Sequence, residues 1–243
     1  MRLSEVKIQV VLVEDSPDPE NNEILKNFAN RFNTLQPTNI RIQLLTQNTV
    51  RTKNGHRGVF QRNKAMNWVM KNHKNSSAVV YLADDDNTYD ERLFQEFIKI
   101  GGEIDGNGNK TVMGILPVGL VGGSLWEGPI CENGLIHSWH SKYKPERTFA
   151  LDMAGFAFTV QALIDSNARF SQDWTTGTLE TQFASTVAGG KFGPLTGTWQ
   201  SQKHEIKRKV VALGNNCTEV LVWHTKTIMK EVYDKYGEDF EVK

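Results

Sequence analysis

Cysteine is nearly missing from this chain: Cys131 and Cys217 are the only two in 243 residues. A pair that sparse excludes a disulfide framework and a zinc site built from several thiolates, and by itself it does not fix the redox compartment. A net charge is missing as well. The 28 Lys and Arg residues cancel the 28 Asp and Glu residues, so no overall field draws the chain to nucleic acid or to an anionic membrane surface, and any anion has to be held by local charge. No apolar run is long enough to cross a bilayer, and nothing resembles a signal peptide, because the chain opens "MRLSEVKIQVVLVED", already in a strand pattern. No internal repeat is present. With 39% hydrophobic residues, the expectation is one α/β domain with elaborations, holding one large core or two modest ones.

What is present is an alternation of short apolar runs with helical patterns. Residues 8–13, 40–45, 79–83 and 220–223 read as strands. Between the second and third of these, Val59, Met66, Val69, Met70 and His73 fall roughly at helical spacing, which predicts a helix lying on a sheet. This alternation argues βαβ units and a largely parallel sheet. After Leu116 the texture becomes Gly-rich, aromatic and antiparallel in pattern ("PVGLVGGSLWEGP", "GLIHSWHSKY", "FALDMAGFAF"). A second half built for a different ligand follows, with a boundary near Gly114. The tract 188–209 mixes glycines, polar residues and a basic end without periodicity, and reads as a loop.

Chemistry concentrates where the run at 79–83 meets Asp84, Asp85 and Asp86. Ligands of open α/β sheets collect beyond the carboxyl ends of strands. Three adjacent carboxylates repel one another unless a cation neutralises them, and their hard oxygens suit Mn²⁺ or Mg²⁺ rather than zinc. The competing reading is a solvated acidic turn that caps a helix starting near Asp90. A metal in such a place usually bridges phosphates, and cations are at hand in Arg57 and Arg62, whose guanidinium forks suit phosphate or a nucleobase carbonyl. His224 and Lys226 follow the last apolar run, again on the ligand side if the sheet is parallel. "DGNGN" at Asp105 imitates a calcium loop, but its twelfth position is Leu116 rather than a bidentate Glu, so it reads as a turn. Asn75, Asn109 and Asn216 begin glycosylation sequons that matter only in the secretory pathway.

Six blocks, "LVEDS", "RGVFQRNKA", "YLADDDNTY", "PVGLVGG" with "EGP", "DMAGFAF" and "NNCTEVLVWHTKT", stand in one order over residues 11–227. In that order and spacing the chain resembles the β-1,3-glucuronosyltransferases, which move glucuronic acid from UDP-glucuronate to a terminal galactose. The resemblance implies a GT-A-like α/β fold, a largely parallel sheet with flanking helices. It implies a donor half over residues 1–113 and an acceptor half over 114–243. Family members open their catalytic domain with a strand ending in a "TPTY"-like segment and then a helix, and this sequence is expected to begin after both. A Golgi-type anchor and stem, usual upstream, are not in it either, and the tract around 191–205 is longer than in the family.

Residue by residue, the resemblance puts Asp15 on the uracil or its ribose, Arg57 and Arg62 on the uridine and phosphates, and Asp84 and Asp85 on the nucleotide. Asp86 is implied as the direct Mn²⁺ ligand. His224 matches a histidine beside the diphosphate; Lys226 stands where arginine is usual, which keeps the charge and loses the fork. Glu127, Arg147 and Asp152 match acceptor-binding positions, and Tyr143 replaces a tryptophan that commonly stacks on the acceptor sugar. Glu180 in "GTLETQF" matches the catalytic base, although on sequence alone it is a first-turn helix carboxylate. The implied cofactor is Mn²⁺, the implied partners are UDP-glucuronate, a galactose-ended glycan and a second copy in a homodimer, and the implied place is the Golgi lumen. Two other classes stay open: a non-catalytic nucleotide-sugar-binding or dimerising remnant, and a transferase using another UDP-sugar.

Overall fold

A computed structural model of the chain describes residues 6–15, 23–35, 39–49, 56, 58–74, 76–101, 110–175, 177–189 and 208–225. Arg57, Lys226, Asn75, Asn109, the "DGNGN" segment and most of the tract 188–209 lie outside the described residues. Packing divides the chain into two compact units, Met1–Lys74 with Arg169–Thr176, and Asn75–Ala168 with Gly177–Lys243. That division does not fall near Gly114. Gly114 lies inside a strand, where an added Cβ would come within 2.5 Å of Leu213 Cδ1, so the close approach of Leu213 requires glycine there.

The first unit is a βαβ element with a further helix. β1 (Ile8–Asp15), α1 (Glu23–Leu35), β2 (Ile40–Gln47) and α2 (Val59–Asn72) follow in order, and β1 and β2 pair in parallel with Ile8 opposite Ile40 and Asp15 opposite Gln47. Parallel neighbours need a crossover of about a dozen residues, and α1 supplies it. Asn33 pins α1 to β2: its side chain donates to Ile42 O and accepts from Ile42 N, both at 2.9 Å. α2 buries Val59 and Met66, as the spacing predicts. Asn63 on α2 donates to Phe170 O (2.9 Å) and accepts from Phe170 N (3.0 Å), so one amide satisfies two backbone groups and ties the 169–176 segment into this unit.

The second unit carries, in chain order, β3 (Val79–Tyr81), β4 (Thr88–Tyr89), α3 (Arg92–Ile98), β5 (Thr111–Ile115), β6 (Val118–Gly119), β7 (Trp126–Glu132), β8 (Leu135–His140), β9 (Phe156–Thr159), α4 (Val160–Ser166), α5 (Leu179–Val187), β10 (Lys209–Ala212) and β11 (Val222–Trp223). One sheet has the order β10-β5-β9-β3 and the other β4-β11-β6-β7-β8. The α/β class stands, with helices flanking the sheets. Among the described residues, however, parallel pairing is confined to β1–β2, β5–β10 and β6–β11, and the other pairings are antiparallel. The sheets are therefore mixed rather than largely parallel. The cause is local: "ENGL" closes β7 onto β8 through Asn133 and Gly134, with φ of 51° and 77°, the paired left-handed residues of a tight hairpin turn.

Between the sheets the core gathers Leu93, Phe97, Ile100, Leu116, Val118, Ala157, Leu213, Leu221 and Val222. A second set of rings, Phe156, Phe158 and Phe183, packs α5 against β9.

Cys131 on β7 and Cys217, 86 residues apart, form a disulfide with Cα atoms 5.9 Å apart. It anchors the turn Gly214–Cys217, in which Asn215, Asn216 and Cys217 all have φ between 50° and 68°. Such a bond stabilises mainly by restricting the unfolded chain, typically by about 2–4 kcal/mol. Cys217→Ser is accordingly expected to lower the denaturation midpoint, while reductant lowers that of the wild type and leaves the variant unmoved. Equal midpoints for wild type and variant under oxidising conditions would contradict the bridge.

Candidate active site

Among the described residues β3 stands at one edge of its sheet and pairs with β9, antiparallel. Its residues are half-buried. Asp84, Asp85 and Asp86 thus follow a strand whose neighbour is antiparallel, where the alternation of runs argues a parallel one; hydrogen bonds to the backbone carbonyls of Asp84 and Asp86 hold them. Tyr89 Oη donates to Asp84 O (2.6 Å) and Thr225 Oγ1 donates to Asp86 O (3.0 Å). The capping role goes to a different residue: Asp90 Oδ1 accepts from Arg92 N at 2.8 Å, just before α3. The solvated-cap reading of the triplet therefore loses its structural task.

His224 stands between two carboxylates. Its Nε2 is 3.9 Å from Asp86 Oδ2 and its Nδ1 is 3.9 Å from Asp152 Oδ2, distances too long for hydrogen bonds. Its backbone N–H donates to Gly119 O at 2.9 Å, which fixes the residue to β6. Asp152 caps the short helical turn Met153–Gly155 by accepting from Ala154 N (3.0 Å). Burial pushes its carboxyl above the usual carboxylate range, while the Ala154 hydrogen bond and His224 pull the other way. Beneath these groups Tyr81 Oη donates to Ala154 O (3.0 Å), and the Tyr81 and Tyr89 rings meet edge to face at 6.0 Å. Burial, reinforced by Asp84, pushes the Tyr89 phenol up to about 12, so it stays a hydrogen-bond donor across the physiological range.

A second group surrounds Arg147, which is 4% exposed. Its Nη1 donates to Gly177 O (2.8 Å) and Thr181 Oγ1 (3.3 Å), its Nε to Lys144 O (3.2 Å), and its guanidinium lies 5.1 Å from the centre of the Tyr143 ring. Burial lowers its pKa; the charges of Glu180 first and Glu127 next hold it up. Arg147 is the electrostatic partner shared by both carboxylates. Glu127 is buried and accepts from Ser141 Oγ (3.2 Å) and Lys142 N (3.4 Å). Gly122, at φ 62°, makes room for it, since a Cβ would come within 2.0 Å of Glu127 Oε1. Tyr143 is 43% exposed, with its ring edge on Gly177. Glu180 lies in the first turn of α5.

Asp86, His224 and Asp152 are thus one cluster of the second unit, and Glu127, Tyr143, Arg147 and Glu180 are linked around the guanidinium. Asp85 lies exposed in the acidic turn. In the first unit Asp15 ends β1 and is exposed, and Arg62, near the start of α2, folds over Gly58, where a Cβ would come within 2.4 Å of its Nη1. Sequence reasoning passed over Tyr81, Tyr89 and Thr225, although the first two stand in "YLADDDNTY" and the third in "VWHTKT".

Among the described residues no three His, Cys, Asp or Glu side chains converge to hold a metal alone. The donor set fits a different arrangement. Asp86 offers a hard carboxylate, half-exposed at 51%, and hard divalent cations at phosphate sites are commonly held by one or two carboxylates, with phosphate oxygens and water completing the shell.

The comparisons place this chain among the glycosyltransferases. Residues 1–228 match the model of Glycosyltransferase family 43, and the chain belongs to that family. It is 36% identical over 183 residues to Homo sapiens galactosylgalactosylxylosylprotein 3-beta-glucuronosyltransferase 3, covering 70% of this chain and 47% of the relative. The Mus musculus protein of the same name is 33% identical over 241 residues, covering 91% of this chain and 62% of the relative. Caenorhabditis elegans galactosylgalactosylxylosylprotein 3-beta-glucuronosyltransferase sqv-8 is 35% identical over 186 residues, covering 74% and 45%. The chain thus spans about half to three-fifths of the curated relatives it matches. Among solved structures, S. aureus TarS 1–349 gives a TM-score of 0.45 at 13% identity over 96% of this chain and 57% of that one, a likeness too low to add to the assignment.

Proposed function

We propose that the chain is a metal-dependent, inverting transferase that moves glucuronic acid from UDP-glucuronate to the 3-hydroxyl of a terminal galactose. The observation that carries this reading is the cluster of Asp86, His224 and Asp152, with the Arg147 group in the same unit, in a chain of glycosyltransferase family 43. Asp15, Arg57 and Arg62 would hold the uridine and phosphates, Asp84 and Asp85 would help hold the nucleotide, and His224 and Lys226 would lie along the diphosphate. Asp86 would hold Mn²⁺. The bound ion would supply charge neutralisation at the departing UDP.

On the acceptor side Glu127, Arg147 and Asp152 would hydrogen-bond the galactose and Tyr143 would offer it a ring face. Glu180 would take the proton of the 3-hydroxyl as that oxygen bonds to the anomeric carbon and the bond from that carbon to the UDP oxygen breaks on the opposite face. Arg147, whose charge Glu180 and Glu127 support against burial, would stand beside that carboxylate. The division of labour between a donor half and an acceptor half belongs to this reading, as do the homodimer, which rests on the family resemblance, and the Golgi lumen. The disulfide supports an oxidising compartment, and among the described residues no helix is long and apolar enough to cross a membrane.

A screen of UDP-sugars against galactose-ended glycans tests the reading. Transfer is expected from UDP-glucuronate with Mn²⁺ and none after chelation. Transfer only from another UDP-sugar would replace the donor, and no Mn²⁺-dependent UDP binding at all would refute the site.

A further inference from the structure

We infer that Thr225 is a positioning residue for Asp86, a role that rests on the functional reading above: its hydroxyl ties the segment carrying His224 to the acidic turn and sets the spacing on which metal-dependent UDP binding relies. Thr225 follows His224 directly after β11. The segment is itself well fixed, because β11 pairs with β4 and β6 and His224 N donates to Gly119 O. From this base the Thr225 hydroxyl donates to Asp86 O at 3.0 Å and lies 2.9 Å from Thr88 Oγ1.

Proton counting gives the chain a direction. A carbonyl only accepts, so the single Thr225 hydroxyl proton is committed to Asp86, and the contact with Thr88 must run the other way, Thr88 donating to Thr225. Together with Tyr89 Oη on Asp84 O, the acidic turn is held at both ends through its backbone carbonyls. The Asp86 carboxylate is left 3.9 Å from His224 and half-exposed, oriented without having its own oxygens consumed. That is the task of groups surrounding a metal ligand, and removing such a support typically costs about 10–100-fold in metal affinity or activity.

The test is calorimetric titration of UDP into the full chain with and without Mn²⁺, with the melting temperature measured alongside. Thr225→Val keeps the shape and deletes the donor, and about a tenfold loss of Mn²⁺-dependent UDP affinity is expected. Thr225→Ser restores the hydroxyl and is expected to bind like the wild type. Thr88→Val leaves the Thr225 donor in place, so a smaller loss than that of Thr225→Val is expected. The inference is overturned if Thr225→Val binds within twofold of the wild type, if Thr225→Ser is as weak as Thr225→Val, or if the loss is the same without Mn²⁺, which marks a general structural defect. A wild type that shows no Mn²⁺-dependent UDP binding overturns the functional reading itself, and this inference with it.

Discussion

Asp86→Ala is expected to abolish Mn²⁺-dependent binding of UDP while the melting temperature stays close to that of the wild type. The carboxylate is half-exposed, its recorded partner is His224 at 3.9 Å, and the backbone carbonyl that anchors the turn through Thr225 survives the substitution. Removing one of three adjacent negative charges relieves repulsion and leaves no buried group unpaired, so none of the mechanisms behind large destabilisation applies. On the proposed reading, in contrast, the substitution would remove the carboxylate that holds Mn²⁺. Calorimetry of UDP with and without Mn²⁺ reads the effect. Unchanged Mn²⁺-dependent affinity in the variant would place the ligand elsewhere.

The second large effect belongs to Glu180. Glu180→Gln keeps the shape of the α5 first turn and removes the proton acceptor, so turnover is expected to fall by roughly a hundredfold or more with donor affinity nearly unchanged. A base acts as the acceptor oxygen attacks, after the donor is bound, whereas on the proposed reading Asp86 and the cationic donor-side residues would act before any proton moves. The two variants should therefore separate cleanly, one losing kcat and the other losing donor binding. Near-full turnover in Glu180→Gln would reduce Glu180 to a helix-start carboxylate beside Arg147, and the base would have to be sought at Glu127 or Asp152.

The elements most legible in the sequence were those decided by local pattern. The runs at 8–13 and 40–45 are strands, the spacing from Val59 onward is a helix burying Val59 and Met66, and the change of texture after Leu116 is the antiparallel β7–β8 hairpin. What pattern alone could not give is pairing at a distance. The run at 79–83 looks like a buried strand, yet among the described residues Val79, Val80 and Tyr81 form a half-buried edge paired with β9, nearly eighty residues later. An apolar run fixes burial only when its neighbours are known.

The candidate site divides the same way. Asp86, His224 and Asp152 were named from motif blocks, and the structure brings them within 3.9 Å contacts. Glu180, Glu127 and Tyr143 were likewise named, and what links them, the buried Arg147 guanidinium, is visible only in three dimensions. The roles of Tyr89 and Thr225 were not legible, although both residues stand inside quoted blocks. Thr225 reaches Asp86 across a separation of 139 residues, and no spacing rule spans that. The disulfide was hidden for a similar reason, since a lone pair of cysteines carries no framework until the turn at Gly214 is seen beside β7.

The most direct measurement is the nuclear magnetic resonance structure of the product formed from UDP-glucuronate and a galactose-ended disaccharide in the presence of Mn²⁺. The expected product carries a β-linked glucuronosyl group on the 3-oxygen of the galactose, inverted from the α-configured donor. An α-linkage, a different position, or release of UDP and free glucuronate without transfer would contradict it.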